Sequence, residues 1–187
     1  GNGGPGIVVT TSGNQISLSA GFNGNLVRAN GGAGIVLAGE EAHSNTVRLN
    51  WIDENESHGI LVTEGAHDNV LATQRTPFAA SNYLISNGSN GIRIAATAGR
   101  GNYALPFFLA NNGGIPIELE GGSEDEAGTT LNDEGDTDEG PNGLLNVPVL
   151  VEARHCIVAP SSMPNAVCVE VEYAGLSHAE IAPAFLA

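Results

Sequence analysis

Residues 30–70 read "NGGAGIVLAGEEAHSNTVRLNWIDENESHGILVTEGAHDNV" and contain the same short pattern twice. Each copy opens with a Gly-Ile pair, at Gly34 or Gly59, and reaches an "AHxN" tetrapeptide that ends at Asn45 or Asn69. In each copy a second aliphatic residue follows the isoleucine by two positions, which is the spacing of one face of a β-strand. The stretch therefore predicts short strands in a repeating unit.

Three elements of this unit recur through the first part of the chain. Gly-Ile pairs, each followed by another aliphatic residue, begin at Gly6, Gly34, Gly59, Gly91 and Gly114. A single Asn comes next in the first four copies, at Asn14, Asn45, Asn69 and Asn102. The third element is an N-x-aliphatic-x-x-N pattern that starts at Asn25, Asn50 and Asn82, and "PFFLAN" at 106–111 keeps only its last Asn. The apolar spacing of two and the 26 glycines argue against helices.

Stacking of the repeats solves a burial problem, because no strand of this length can bury its apolar face alone. Equivalent residues of successive coils would lie about 4.8 Å apart, and their aliphatic side chains would form one core. Asn suits the turns, and stacked Asn side chains can hydrogen-bond from coil to coil. The sequence predicts an all-β protein: a parallel β-helix of about four to five coils with three short strands per coil.

Over residues 1 to about 120 the sequence resembles right-handed parallel β-helix repeat proteins, a class of mostly extracellular bacterial and archaeal proteins. The class includes pectate-lyase-like enzymes and many non-catalytic surface proteins. The resemblance therefore implies the fold and an extracellular or cell-surface location, and it leaves the activity open.

The predicted domain organisation has three parts. Residues 1–120 form the β-helix, residues 121–146 form an acidic capping or linker loop, and residues 147–187 form a short antiparallel, β-sandwich-like unit. Two or three strands are marginal as an independent domain, so this last unit looks incomplete. Its cysteines, Cys156 and Cys168, form either a disulfide or two buried thiols.

The acidic loop is the predicted metal site. Ca²⁺ takes six to eight oxygen ligands on a flexible loop, and the candidate ligands are Asn132, Asp133, Asp136, Asp138 and Asn142. The stretch "NDEGDTDEGPNGLLNVPVL" at 132–150 also resembles a segment that closes β-helix repeats before Ig-like modules in large bacterial surface proteins. That resemblance implies a cap with bound calcium. A solvated loop and a catalytic centre remain the alternatives.

The charge of the chain limits its partners. It carries 21 acidic residues against six basic ones, all of them Arg, for a net charge of -15. This balance excludes nucleic acid and anionic membrane surfaces, because binding to phosphate needs basic patches. No stretch approaches the roughly 20 apolar residues that a membrane-spanning helix needs.

An apolar column that is predicted to face outward indicates that the protein binds a partner. If Val27, Ile52, Leu84 and Phe108 face the core, then the residues that precede them face outward: Leu26, Trp51, Tyr83 and Phe107. The first strands are expected to expose Val8, Val36 and Leu61 in the same way. Such a surface favours contact with a neighbouring subunit or the chain's own tail, or with a polysaccharide that stacks on the rings.

Catalysis has weaker support in the sequence. Arg93 and Arg75 are the candidates for the base of a polysaccharide lyase, but no acidic cluster accompanies either in sequence, and no pair of carboxylates suits a glycosidase. His43 and His67 occupy equivalent positions and are predicted to stack about 5 Å apart, either as turn residues or as a transition-metal pair.

These observations predict an extracellular, calcium-stabilised structural or adhesive module, or a self-associating subunit of a surface filament, without a catalytic site. The alternative is a pectate-lyase-like enzyme or a glycan-binding domain.

Overall fold

The computed structural model describes residues 1–16, 24–71, 82–104, 108–134 and 139–144, together with the backbone of residues 149–155 and 167–172. These residues form short strands and one 3₁₀ turn, Pro141–Leu144. In chain order the strands are β1 (Ile7–Val9), β2 (Gln15–Ile16), β3 (Leu26–Arg28), β4 (Ile35–Ala38), β5 (Thr46–Val47), β6 (Trp51–Asp53), β7 (Ile60–Thr63), β8 (Tyr83–Ile85), β9 (Ile92–Ile94), β10 (Phe108–Ala110), β11 (Ile117–Leu119), β12 (Val149–His155) and β13 (Val167–Glu172).

Parallel pairing joins the first eleven strands into three sheets. The first sheet has the order β1-β4-β7-β9-β11, and the third has the order β10-β8-β6-β3. The second sheet is the pair β2-β5, which single bridges extend from Thr46 to Val70 and from Val70 to Tyr103. Each coil thus supplies one short strand or bridge to each sheet, which is the predicted parallel β-helix.

The core lies between the three sheets and consists of aliphatic columns. Ile35, Ile60 and Ile92 follow one another in register along the first sheet and are fully buried. Ile52 and Leu84 do the same in the third sheet. Full burial of such a side chain stabilises the fold by about 1.5–3 kcal/mol, so the columns are the main source of stability.

Three ladders of asparagine run along the turns, as the sequence predicted. In the ladder Asn14, Asn45, Asn69, Asn102, the backbone N–H of each residue donates to Oδ1 of the next, at 2.8, 3.0 and 3.3 Å. The Nδ2 atoms of the same residues donate to the same oxygens at 3.0 Å. The inner members are buried, and these bonds satisfy turn backbone that water cannot reach. The other two ladders are Asn25, Asn50, Asn82 and Asn30, Asn55, Asn87, Asn112.

The glycine of each Gly-Ile pair is required by close packing. A Cβ atom on Gly34 would lie 2.3 Å from Cγ2 of Ile52 and 2.9 Å from Nδ2 of Asn55. The position equivalent to it in the next coil, Gly59, is equally crowded. The backbone therefore approaches both the core and an asparagine ladder at this point.

The fourth coil departs from the expected alignment by one residue. The backbone N–H of Asn87 donates to the side chain of Asn112, not of Asn111, at 3.0 Å. Asn111 instead corresponds to Ser86 of the preceding coil, because both have a left-handed φ, of 55° and 56°. Phe108 consequently pairs with Tyr83 and faces outward, so the prediction that Phe108 faces the core is wrong. A slip of one residue reverses every side chain of a strand. Phe107 lies outside the described residues.

The last strand of the first sheet is shifted as well. Ile117 pairs with Ile92, and the backbone N–H of Ile92 donates to the carbonyl oxygen of Pro116 at 2.9 Å. The pair Gly114-Ile115 is therefore not the equivalent of Gly91-Ile92. This shift follows from the choice of Asn112, because Pro116 stands four residues after it, as Gly91 stands four residues after Asn87.

The 3₁₀ turn Pro141–Leu144 supplies one further rung to the stack. The backbone N–H of Asn102 donates to Oδ1 of Asn142 at 2.9 Å, and Nδ2 of Asn142 donates to the carbonyl oxygen of Asn102 at 2.6 Å. Asn142 thus ends the ladder that begins at Asn14. Leu144, at the end of the turn, is only 2% exposed.

The chain divides into two compact units, residues 1–130 with 139–144, and residues 131–138 with 145–187. In the second unit β12 and β13 pair antiparallel, with a register irregularity between Leu150 and Glu152. This pairing confirms the predicted short antiparallel β unit. None of the helical segments in the described part of the chain is long and apolar enough to cross a membrane.

Candidate binding face and polar clusters

An exposed apolar column runs along the outer face of the third sheet. We call it the apolar ladder, and its members are Leu26, Trp51, Tyr83 and Phe108, which are 65%, 45%, 39% and 50% exposed. They pair in direct register across β3, β6, β8 and β10. The next residue of each strand faces the core, so strand alternation alone puts these four side chains outside.

The aromatic rings of the apolar ladder lie on one another. The centroids of Trp51 and Tyr83 are 5.1 Å apart with planes 12° apart, and those of Tyr83 and Phe108 are 5.6 Å apart with planes 37° apart. Two rings this close cannot lie side by side in one plane. The facing sides of Trp51 and Tyr83 therefore cover each other, while Phe108 is tilted on Tyr83 and lies on the end strand of the sheet.

The adjacent column on the same face begins with one arginine that pairs with two carboxylates. Nε of Arg28 lies 3.3 Å from Oδ2 of Asp53, and the guanidinium also binds Glu54. The hydrogen bond from Arg28 lowers the pKa of the Glu54 carboxyl. The column continues with Ile85 and Ala110. The outer face of the third sheet is thus apolar with paired charges at one corner.

The outer column of the first sheet differs from the prediction. Val8 is 54% exposed, but Val36 is buried and Leu61 is half-buried. The prediction that all three form an exposed column is therefore wrong for Val36. This residue lies on a central strand, in register with Val8 on one side and Leu61 on the other, and they cover it. Further along, the column changes to Arg93 and then Glu118.

Arg93 is the centre of a cluster of charged groups that the sequence did not reveal. Its Nε lies 3.4 Å from Oε2 of Glu118 and 3.3 Å from Oε2 of Glu120, and its guanidinium also pairs with Oε1 of Glu120. Asn90 Nδ2 donates to Glu118, and the backbone N–H of Ala96 donates to Glu120 at 3.1 Å. The correct register of Ile117 with Ile92 would have predicted the contact between Arg93 and Glu118.

Burial changes the proton affinities of this cluster. It raises the pKa of Glu118, although the charge of Arg93 opposes the change. It would also raise the pKa of Glu120, but the hydrogen bond from Ala96 and the pairing with Arg93 outweigh burial, and the pKa is lowered. Burial and the charge of Arg93 lower the pKa of His58, whose Nδ1 accepts from the backbone N–H of Asn90 at 3.3 Å.

The cluster is suited to holding strands together more than to catalysis. Glu118 is only 8% exposed, and its Oε2 is occupied by Arg93 and Asn90. A Cβ atom on Gly128 would lie 3.4 Å from its Oε1, so the segment after β11 lies over this carboxyl. Arg93, the candidate base, is a guanidinium held by two carboxylates, and arginine does not lose its proton in proteins.

The predicted calcium ligands have different outcomes. Asp136 and Asp138 lie outside the described residues, and Asn132 and Asp133 belong to the second unit. Asn142 belongs to the first unit, where its side chain is the last rung of an asparagine ladder. In the described ranges no three His, Cys, Asp or Glu side chains are grouped as for a metal ion. The calcium site therefore stays a prediction, as does the disulfide, because Cys156 lies outside the described residues.

His43 and His67 stack as predicted, with ring centroids 5.0 Å apart and planes 14° apart. A parallel bridge joins their backbones, and both side chains are half-buried. Arg75, the second candidate base, lies outside the described residues.

Comparison with known proteins identifies the fold. Residues 1–76 match the family model for a right handed beta helix region. No curated protein and no solved structure matches the chain. With the parallel pairing of β1 to β11, the match shows that residues 7–119 form a right-handed parallel β-helix, similar to that family from β1 through β7.

Proposed function

We propose that this protein is a non-catalytic structural or adhesive module of an extracellular or cell-surface assembly. It associates through the apolar ladder with a second copy of itself, and a neighbouring surface protein is the other candidate partner. The observation that carries the proposal is the uncovered column of Leu26, Trp51, Tyr83 and Phe108 on a rigid sheet.

The charge distribution supports a second copy as the occupant. A chain with a net charge of -15 repels its own copies over most of its surface. The outer face of the third sheet is the exception, since its two columns are apolar or internally ion-paired. Two such faces can meet without placing unpaired like charges together, and an apolar column can interdigitate with an identical column.

The ring geometry argues against a polysaccharide as the occupant. Sugar rings stack on the open faces of aromatic side chains. In the apolar ladder Trp51 and Tyr83 use those faces against each other, at 5.1 Å. At these two residues a glycan would meet ring edges, which suit an apolar protein surface better.

Sedimentation velocity across a range of protein concentrations tests the proposal. The wild type is expected to associate as concentration rises, and more strongly in salt, because salt screens the repulsion between acidic copies. Trp51→Ser removes the largest member of the apolar ladder and should abolish the association. Tyr103→Ser is the matched control, because Tyr103 is 40% exposed on the second sheet and is not part of the ladder. A monomeric wild type contradicts self-association, and equal association by Trp51→Ser contradicts the apolar ladder as its site.

An enzyme acting on acidic polysaccharide is the second candidate, and the observation in its favour is the raised pKa of Glu118 beside Arg93. In an enzyme of this kind Glu118 would serve as the general acid and Arg93 would bind the anionic substrate. Turnover of an acidic polysaccharide in the presence of calcium, lost in Arg93→Ala, would establish this function and displace the structural one.

Calcium is the proposed stabiliser of the acidic segment. Five carboxylates within residues 133–139 have no Lys or Arg near them in sequence, and oxygen-rich loops of this kind suit Ca²⁺. A chelator should lower the melting temperature of the wild type, and Asp136→Asn combined with Asp138→Asn should lower it without chelator. A melting temperature that is the same with and without chelator contradicts bound calcium.

A further inference from the structure

The stacked histidines carry an inference that is independent of the apolar ladder. We infer that His43 and His67 form a two-imidazole site for a first-row divalent metal ion of the nickel, copper and zinc group. The two residues stand side by side on neighbouring coils, joined by a parallel backbone bridge, with ring centroids 5.0 Å apart and planes 14° apart.

Both rings make their hydrogen bonds through Nδ1. Nδ1 of His67 lies 2.8 Å from Oδ2 of Asp68, and Nδ1 of His43 lies 3.2 Å from Oγ of Ser44. A carboxylate next to Nδ1 holds the proton there, which leaves the lone pair on Nε2. Histidines that bind metal commonly have this arrangement, in which a neighbouring carboxylate fixes the tautomer and makes the free nitrogen a better ligand.

The distance between the rings is within reach of one ion. Metal–imidazole bonds are about 2.0–2.1 Å long, so one ion can join two nitrogens that are at most about 4 Å apart. Rings with centroids 5.0 Å apart must tilt towards each other to reach this separation. Both side chains are partly exposed, and neither belongs to the buried hydrophobic core.

The surroundings favour a cation. The neighbouring coil contributes a glycine, Gly99, whose added Cβ would lie 2.7 Å from the Cβ of His67, so no side chain on that residue crowds the pair. The net charge of -15 attracts cations to the surface. The imidazole ligands select the metal: nickel, copper and zinc accept them readily, and Cu²⁺ binds most tightly in that series. Water or a group from another molecule would occupy the remaining coordination positions.

Titration with Cu²⁺ in the presence of glycine as a weak competing chelator tests the site. Calorimetry measures the affinity, and pulsed electron paramagnetic resonance counts the coordinated imidazoles. We expect one Cu²⁺ with two imidazoles in the wild type. His43→Ala and His67→Ala should each leave one imidazole and weaken binding by at least about tenfold, and His155→Ala, in β12, should leave both readouts unchanged.

Asp68→Asn tests the role of the carboxylate separately. It should retain two imidazoles and weaken binding by about 10–100-fold, the usual effect of losing an outer hydrogen-bonding partner. A wild-type spectrum with fewer than two imidazoles, or a wild-type affinity equal to that of His67→Ala, overturns the inferred site. Unchanged affinity in Asp68→Asn overturns the role given to the carboxylate. Since both histidines are on the surface, these variants are expected to fold.

Discussion

The first and third sheets of the β-helix have the same parallel register but different outer faces. On the first sheet the outer column passes from buried Val36 to the ion-paired Arg93 and Glu118. On the third sheet the equivalent position of every strand carries an apolar side chain that is at least 39% exposed. Among the described residues, most of the first column is buried or ion-paired, and the whole of the second is exposed.

This difference indicates where the protein meets other molecules. A solenoid needs only its inner columns and turns for stability, so its outer columns are free to serve a partner. Buried and paired side chains on the first sheet stabilise the unit itself. Uncovered aromatic side chains on the third sheet add nothing comparable to the stability of a monomer, and contiguous exposed apolar surface commonly marks an interaction site.

The largest effect is expected when the scaffold shared by both faces is broken. Asn69→Ala removes an amide that is fully buried and leaves the backbone N–H and Nδ2 of Asn45 and the carbonyl oxygen of Ala42 without this partner, while Oδ1 of Asn102 keeps the backbone N–H of residue 69. Each buried polar group left unpaired costs about 1–3 kcal/mol, so the free energy of unfolding should fall by about 3 kcal/mol or more in urea denaturation. Asn14→Ala, at the partly exposed start of the same ladder, should cost about 1 kcal/mol. Equal losses would contradict the structural role given to burial in the ladder.

The first sheet can be compared with the third by removing one arginine from each. Arg93→Leu leaves Glu118 buried without its cation and should destabilise the fold by about 2 kcal/mol, reduced from the value for a fully buried pair because Arg93 is partly exposed. Adding Glu118→Leu should restore most of that loss, because it continues the aliphatic column of Val36 and Leu61. Arg28→Leu on the third sheet also leaves a buried carboxylate, Asp53, without its cation, but it should cost less than Arg93→Leu because Arg28 is more exposed than Arg93 and its second partner, Glu54, is exposed. Chemical denaturation measures all three, and an additive double variant would refute the coupling.

Substitution of Asn142 distinguishes a hydrogen-bonding role for this residue from a calcium-binding role. Asn142→Ala removes a hydrogen bond from the backbone of Asn102 and should cost about 1 kcal/mol whether or not a chelator is present. If Asn142 is instead a calcium ligand, the substitution should lower the melting temperature with calcium and have no effect after chelation. Thermal denaturation in both conditions distinguishes the ladder from the metal site.

The smallest expected effect is on the pH dependence of stability, and it is caused by His58, which precedes β7 of the first sheet. The pKa of His58 is lowered in the folded protein, so His58 contributes stability above its ordinary pKa that is lost as pH falls through the lowered value. Glu118, with a raised pKa, has the opposite dependence. Between about pH 7 and pH 5, His58→Asn should therefore lose less stability than the wild type. Melting temperatures measured across this range check it, and parallel curves for the two proteins would contradict the effect.

Much of the fold could be predicted from the sequence because the inner residues repeat. Gly34, Asn45 and Ile52 each have equivalents in the coils next to them, and those residues stack as expected. The prediction failed where Asn111 and Asn112 both fit the pattern. The neighbouring sequence does not distinguish them, because the equivalent residue is the one whose side-chain amide accepts from Asn87 of the preceding coil.

The site was harder to predict because outer residues have no constraint to repeat. The exposed positions of Leu26, Trp51 and Tyr83 were predicted from strand alternation alone. The contact between Arg93 and Glu118 was not, because it depends on the register of β11 with β9 and that register follows from the choice of Asn112. The wrong choice between Asn111 and Asn112 therefore led to two errors: Phe108 was placed in the core, and the ion pair of Arg93 with Glu118 was missed.

Trp51 is the only tryptophan of the chain and lies in the apolar ladder, so its fluorescence reports directly on whether that surface is covered. The central claim is that a second copy covers it. Its emission should shift to shorter wavelength and its quenching by acrylamide should decrease as the protein concentration rises, and Leu26→Ser should suppress both changes. Emission and quenching that stay the same at every concentration, while the protein remains folded, would contradict the claim.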